Sequence, residues 1–386
     1  MKEINDIIKA YEEAHLQNKQ TVLATVVHVE GSSYRKAGAR MLVTEDGMLT
    51  GAISGGCLEG DALRKALLAI AKQKNMLVVY DTSDEDDARF GMGLGCNGII
   101  HVLLEPVNPV NTNNPIHLLK SISAKRQKAA AITLFSMQNK KEEQPGTCLV
   151  LTEDGSILGG APFLKDVLLA EAKHALDKQQ SFFKNYMFEN RNLTAFAEMF
   201  KPTVSLVITG AGNDVVPLVK MSEIAGWKTT VIDGRPAYAK KERFVASCQV
   251  LLSRPEDVLG QVSIDEQTVF VLMTHNYNYD IAMLRALLKT EVTYIGMLGS
   301  RNKINRMLNE LRYEGTNLSQ QQLSVIHSPI GLDIGAETSE EIALSVMAEI
   351  KAVLAKKGGA FLKNNAEGMY SHAETKIEKV KFVSEQ

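Results

Sequence analysis

Two cysteines in this chain lie in glycine-rich surroundings. In Gly51-Ala-Ile-Ser-Gly-Gly-Cys57-Leu-Glu59 a thiol follows two glycines and stands two residues before a carboxylate. Chain with so few side chains exposes backbone N–H groups that can cradle an anion, and its flexibility lets a thiol beside them approach a ligand closely. GMGLGCNG at 91–98 repeats the pattern, so Gly55, Gly56, Cys57, Glu59, Gly95 and Cys96 are candidate ligand contacts. The competing reading makes both cysteines small buried hydrophobes beside tight turns. Cys148 and Cys248 complete the set of four, and none has CxxC spacing, which argues against a disulfide framework or a structural zinc site.

A second chemistry is written at 204–215, where an apolar run ends in Gly210-Ala-Gly212-Asn-Asp-Val and a helical pattern begins. Gly210 permits the tight turn, and Gly212 lets backbone amides approach a phosphate at a helix N-terminus. Val215 stands where the usual dinucleotide fingerprint has its third glycine. Asp233 closes the next apolar run, where an acidic side chain accepts hydrogen bonds from an adenosine ribose. The plainer alternative is two glycines serving a short βα turn, with Asp214 either repelling a phosphate or capping the helix. His275 follows a strand pattern at the edge where open α/β sheets place ligand contacts, and Arg301 begins a helix after Gly299-Ser300. Arg35 and Arg40 flank a glycine-containing turn and are the right type to clamp a phosphate, or to be solvated surface groups. None of the ten tyrosines is followed four residues later by lysine, which removes the short-chain dehydrogenase reading.

The elements that must hold these groups follow from periodicity. Ile4, Ile7, Ile8 and Tyr11 have helical spacing within 1–18, and TVLATVVHVEG at 21–31 is a strand. A hairpin turns at Glu45-Asp46-Gly47, residues 59–74 form an amphipathic helix, and 76–82 is another strand. From 204 onward, strands at 204–209, 229–233, 248–252, 268–272, 292–296 and 324–327 alternate with helices, the signature of a doubly wound parallel sheet. A last helix spans 337–355. The fold class is therefore α/β, a C-terminal Rossmann-like doubly wound parallel sheet plus an N-terminal mixed α/β domain. The boundaries expected are 1–200, 201–358 and a polar, mobile tail at 359–386, with no internal repeat evident in either half.

The 386 residues suit two domains, and 45% hydrophobic with 23% charged content is that of a globular protein. A net charge of −2 gives no drive toward nucleic acid or anionic membrane. The amphipathic N-terminus MKEINDIIKAYEEAH lacks the apolar core of a signal peptide, and no apolar run reaches the length of a membrane span, so a cytoplasmic location is expected.

Taken together, the motifs resemble the XdhC/CoxI family of accessory proteins that mature molybdenum hydroxylases such as xanthine dehydrogenase. The resemblance covers nearly the whole chain. It rests on ATVVHVEGSSYRKAGARMLV at 24–43, GAISGGCLEGDAL at 51–63 and GMGLGCNGIIHVLLEP at 91–106 in the first half. In the second half it rests on ITGAGNDVVPLV at 208–219, VIDGRPAYAKKERF at 231–244, VLMTHNYNYD at 271–280, YIGMLGSRNK at 294–303 and IGLDIGAETSEEIALSVMAEI at 330–350. Ser54, Asn97 and Asn213 depart from its usual residues. The resemblance implies a carrier rather than a catalyst. Such a carrier binds molybdenum cofactor (molybdopterin), protects it, supports its sulfuration by a cysteine desulfurase and delivers it to a xanthine dehydrogenase-type apoenzyme, in keeping with a homodimer. Arg235, within VIDGRPAYAKKERF, joins the cofactor-binding residues, and Cys57 becomes a ligand for the molybdenum of bound cofactor. Two other readings stay open: an NAD(P)-dependent oxidoreductase with His275 as acid or base, and a dinucleotide-sensing regulatory module.

Overall fold

The structure, a computed structural model, describes residues 1–82, 98–160, 164–188, 191–364 and the backbone of 379–381. The chain divides into two compact units, Glu3–Pro202 and Thr203–Asn364. No helix among the described residues is long and apolar enough to cross a membrane.

The first unit runs α1 (Lys2–Leu16), β1 (Thr21–Gly31), β2 (Arg40–Thr44), β3 (Leu49–Gly51), α2 (Glu59–Lys72), β4 (Met76–Asp81) and β5 (Gly98–Pro106). The same series then recurs as α3 (Pro115–Ala124), β6 (Ala129–Phe135), β7 (Gly146–Thr152), β8 (Ile157–Gly159), α4 (Lys165–Lys178), β9 (Phe182–Phe188) and β10 (Arg191–Phe200). The first sheet has the order β3-β2-β1-β5-β4 and the second β8-β7-β6-β10-β9. The unit is thus an internal duplication, which corrects the expectation of no repeat. Residues Lys379–Lys381 add a short parallel strand on β9, so that part of the expected mobile tail is paired.

The duplication extends to side chains. Both hairpins turn on Thr-Glu-Asp-Gly, at 44–47 and at 152–155. In each the threonine hydroxyl donates to the aspartate two residues on, and Lys19 and Lys125 pair with Asp46 and Asp154. A Cβ on Gly51 would lie 2.4 Å from the Arg40 carbonyl oxygen, and one on Gly159 2.3 Å from that of Cys148, so both hairpins require glycine there. β1 pairs Leu23 with Leu42 and Glu105, while β6 pairs Ala131 with Val150 and Glu198, which makes Glu105 and Glu198 equivalent. Each of these glutamates reaches into the other repeat. Glu105 accepts from the Thr147 amide at 2.6 Å and hydroxyl at 2.9 Å, and Glu198 takes the Arg40 guanidinium through both oxygens. Burial pushes the Glu105 carboxyl above the usual carboxylate range, even against the opposing bonds from Thr147.

Alternation along the strands explains the layers. Val22, Ala24 and Val26 pack under α2 through Ala62, Ala66 and Ala69, while Leu23 and Leu42 face the other way, toward Ala131 and Val150 of the second sheet. α4 covers the far side of that sheet through Leu168, Ala172 and Ala175.

The second unit begins with β11 (Ser205–Thr209), α5 (Val215–Ile224), β12 (Lys228–Asp233), β13 (Gln249–Leu252), β14 (Thr268–Leu272) and α6 (Tyr277–Leu287). It ends with β15 (Ile295–Met297), α7 (Arg301–Tyr313), α8 (Gln320–Ser324), β16 (Ile326–His327) and α9 (Ser339–Leu354). The strand order β13-β12-β11-β14-β15-β16 is the doubly wound arrangement, parallel throughout. Ile208 and Val271 meet α5 and α9 on one face, and Phe270 and Leu272 meet α6 and α7 on the other. Central strands buried on both faces are continuous apolar runs, which is why their positions are legible in the sequence.

Candidate functional site

In the second unit the order of strands reverses between β11 and β14, and the Gly210–Gly212 turn sits at the carboxyl end of β11, beside that crevice. Gly210 has φ +109°, and a Cβ there would lie 2.3 Å from the Met273 carbonyl oxygen and 2.8 Å from the Thr274 nitrogen. The turn and the end of β14 therefore touch backbone to backbone. The Gly210 amide donates to the Ile232 carbonyl at 2.7 Å.

Asp233 is buried beneath the turn and is fully engaged. One oxygen accepts from the Ala211 amide at 2.9 Å and from the Arg235 guanidinium at 2.8 Å; the other accepts from the Arg235 amide and Nε, each at 2.9 Å. Burial works to raise the Asp233 pKa, but the Arg235 and backbone bonds outweigh it and hold the carboxyl below the usual aspartate range. The carboxylate expected to meet a ribose diol is instead covered by Arg235, whose guanidinium stacks 4.0 Å from the Tyr238 ring centroid. A guanidinium beside this acidic position is the arrangement that takes a phosphate there.

Asp214 occupies the N-cap position of α5 but makes no side-chain capping bond; its carboxylate meets His275 Nε2 at 2.9 Å. His275 is left-handed at φ +56° and 63% exposed in its side chain, so the imidazole lies open beside the turn. Arg301 opens α7 at the end of β15 as an exposed side chain behind the Ser300 cap.

Sequence reasoning passed over Arg243. Its guanidinium donates to the Ala211 carbonyl and, at 2.9 Å, to Asn213 Oδ1, so a second arginine braces the glycine turn. It also passed over Lys303, which meets the fully buried Asp280 at 2.6 Å while Asp280 accepts from Thr274. That network ties the end of β14 to α6 and α7. The only signal for either residue is its place inside the quoted motifs, at 231–244 and 294–303.

In the first unit, the loop between β3 and α2 is organised by Ser54 and Glu59. Glu59 accepts from the Ser54 amide at 2.8 Å, the Leu58 amide at 3.2 Å and the Ser54 hydroxyl, and the Ser54 oxygen accepts from the Gly56 and Leu58 amides, each at 3.1 Å. Burial works to raise the Glu59 pKa, yet these bonds hold it below the usual range. Three loop amides and the carboxylate are thus spent on the loop's own shape. Cys57 is a free, half-buried cysteine with its sulfur 3.5 Å from Ser54 Oγ. Among the described residues no atom comes within 4 Å of a Cβ built on Gly56, and Tyr34 lies against Gly55. Gly95 and Cys96 lie outside the described residues. Arg40 is buried against Glu198 and Arg35 pairs with Glu3, so both arginines are used within the fold rather than offered to a phosphate.

Comparison with known proteins places the chain among relatives. Residues 206–350 match the XdhC Rossmann domain, and residues 14–81 match the XdhC and CoxI family. The chain is 33% identical over 332 residues to a Bacillus subtilis protein named as a probable subunit of xanthine dehydrogenase, covering 86% of this chain and 92% of that protein. It is 25% identical over 347 residues to the molybdenum cofactor insertion chaperone PaoD of Escherichia coli, covering 90% and 87%. Among solved structures, one described as a xanthine dehydrogenase from Bacillus halodurans is 31% identical, with a TM-score of 0.73 over 94% of this chain and 98% of that one.

Proposed function

The chain belongs to the XdhC and CoxI family, and on that premise we propose that it is a molybdenum cofactor-binding chaperone. It binds newly made molybdopterin, shields it, presents it for sulfuration by a cysteine desulfurase and passes it to a xanthine dehydrogenase-type apoenzyme in the cytoplasm. Two copies associate as a homodimer in this reading. The observation that carries it is the glycine turn at the sheet's switch point, flanked by Arg235 and braced by Arg243. A helix start and two guanidiniums at one turn suit the terminal phosphate of a small cargo.

Cys57 is the group in the first unit suited to molybdenum, because its half-buried thiol follows the open space at Gly56 and a thiolate is a soft ligand. Gly55 lies against Tyr34 and Gly56 leaves space for the cargo to approach, whereas Glu59 acts by fixing the loop. His275 and Arg301 stand at the carboxyl edge of the second unit's sheet, where they meet the cargo. The relationship to PaoD supports insertion as the task.

A second reading, NAD(P) or another nucleotide in the Rossmann unit, is favoured by Arg235 covering Asp233, an arrangement suited to a ribose phosphate. Mass spectrometry of the small molecule retained after native purification from a molybdenum-replete host separates the two. Molybdopterin is expected, with molybdenum content reduced in Cys57→Ala. A retained dinucleotide without pterin, or undiminished molybdenum in Cys57→Ala, refutes the chaperone reading or the thiol's role in it, respectively.

A further inference from the structure

On β1 and β5 of the first unit, three side chains outside the sites above converge. His28 and His101 are direct cross-strand partners, and Glu30, two residues along β1, projects from the same face as His28. The register shifts between Val26 and His28, so a bulge interrupts the alternation. Without it His28 would point with Val22, Ala24 and Val26 into the core under α2; with it the ring turns to the opposite face and stands edge-on to His101 and Phe183, with centroids 5.5 and 5.0 Å away. Glu30 Oε1 lies 3.2 Å from His101 Nε2 and 3.9 Å from His28 Nδ1.

We propose that His28, Glu30 and His101 form a binding site for one divalent transition-metal ion of the zinc class, with three protein ligands and an open position toward solvent. The ligand atoms all lie within 4.8 Å of one another. The edge of a tetrahedron built on bonds of about 2.0–2.1 Å is about 3.3–3.4 Å, so closing on an ion asks for side-chain shifts of roughly 1 Å or less. Two imidazoles and one carboxylate are the donor set that zinc and its neighbours take when a water or substrate fills the remaining position. Glu30 is 50% exposed, which places that position at the surface.

The second repeat shows that the fold itself does not call for these groups: its pairing register puts Phe135 opposite Thr194 where the first has His28 opposite His101, and Met137, two residues on from Phe135, stands where the first has Glu30. The duplicated scaffold closes this position with a phenylalanine, a threonine and a methionine.

The test is calorimetric titration of Zn²⁺ into the full chain after chelator treatment, with Co²⁺ absorption as the spectroscopic readout. One ion per chain is expected, with Co²⁺ giving four-coordinate visible bands and no thiolate charge-transfer band. Glu30→Gln, at a half-exposed position that leaves the core intact, should weaken binding at least about tenfold, the scale on which even outer-shell changes act. The double change His28→Phe with His101→Thr, the second repeat's own solution, should abolish it while the circular dichroism spectrum is kept. Failure of the wild-type chain to bind, retention of full affinity in Glu30→Gln, or loss of binding in Cys57→Ser overturns the assignment.

Discussion

Gly210 and Gly212 stand two residues apart in one turn, yet the structure gives them opposite consequences when each is replaced by alanine. At Gly210 the new Cβ meets only backbone, 2.3 Å from the Met273 carbonyl oxygen, 2.5 Å from its carbon and 2.8 Å from the Thr274 nitrogen, at φ +109°. None of these atoms can move without parting β11 from β14. Backbone strain alone costs about 1–3 kcal/mol, and the displaced strands add to it, so a loss of about 3 kcal/mol or more is expected. For a unit of this size that lowers Tm by roughly 6–12 °C. At Gly212 the new Cβ meets a side-chain oxygen of Asp214 at 2.3 Å, which can swing away. The cost is the Asp214–His275 pair, whose histidine is 63% exposed, and exposed pairs contribute about 0–1 kcal/mol. Gly212→Ala should therefore melt within roughly 4 °C of wild type. It should nevertheless lose retained cargo, since the methyl occupies the approach to the turn's amides. Differential scanning calorimetry and cargo analysis on the same preparations decide the matter. Equal Tm losses for the two variants, or a stable Gly212→Ala that keeps its full cargo, would refute the reasoning.

Three further outcomes are expected. Glu198→Ala strands the buried Arg40 guanidinium and should cost about 3–5 kcal/mol by urea unfolding, whereas Arg40→Met combined with Glu198→Leu should recover most of it; equal losses would mean the pair is not what joins the repeats. Asp233 has a folded pKa below its ordinary value, so its contribution is fully present above the unfolded value near ~4 and is lost as pH falls through the lower folded one. The Tm gap between wild type and Asp233→Asn should accordingly narrow on acidification below about pH 4, and parallel curves would count against that account. Cys57→Ala should keep wild-type stability to within about 1 kcal/mol, because its half-buried sulfur only flanks the core cluster under α2, and thermal melts check this independently of molybdenum content.

What the sequence made legible follows from how each element is buried. The strands expected at 204–209 and 268–272 are Ser205–Thr209 and Thr268–Leu272, because strands covered on both faces write themselves as unbroken apolar runs. The duplication was illegible because its halves share shape more than residues. Beyond Thr-Glu-Asp-Gly and a pairing lysine, the fold asks only for alternation and a glycine at each hairpin's close. The bulge at His28 hid the histidine pair for a related reason. Period-two reading sends that ring into the core under α2, and one extra residue sends it to the other face. At the glycine turn, the types of Asp233 and Arg235 were legible but not their union, since two residues of opposite charge on one loop pair with each other as readily as with a ligand.

The repeat also sorts structural from chemical residues. Where both copies keep the same device, the fold requires it: Glu105 and Glu198 each cross to the other repeat, and Gly51 and Gly159 each close against a carbonyl of the neighbouring strand. Where the copies differ, the fold has been satisfied twice in different ways, and whatever is peculiar to one copy is there for another reason. By this criterion the stretch between β3 and α2, residues 52–58 with Cys57, is not a folding necessity, since the corresponding 160–164 joins β8 to α4 with neither cysteine nor carboxylate. Glu59 belongs with it, because its bonds serve only that loop. The histidine pair and Glu30 fall on the same side of the line. On the proposed readings, the first repeat carries the unit's chemistry on a scaffold that the second repeat shows can be built without it.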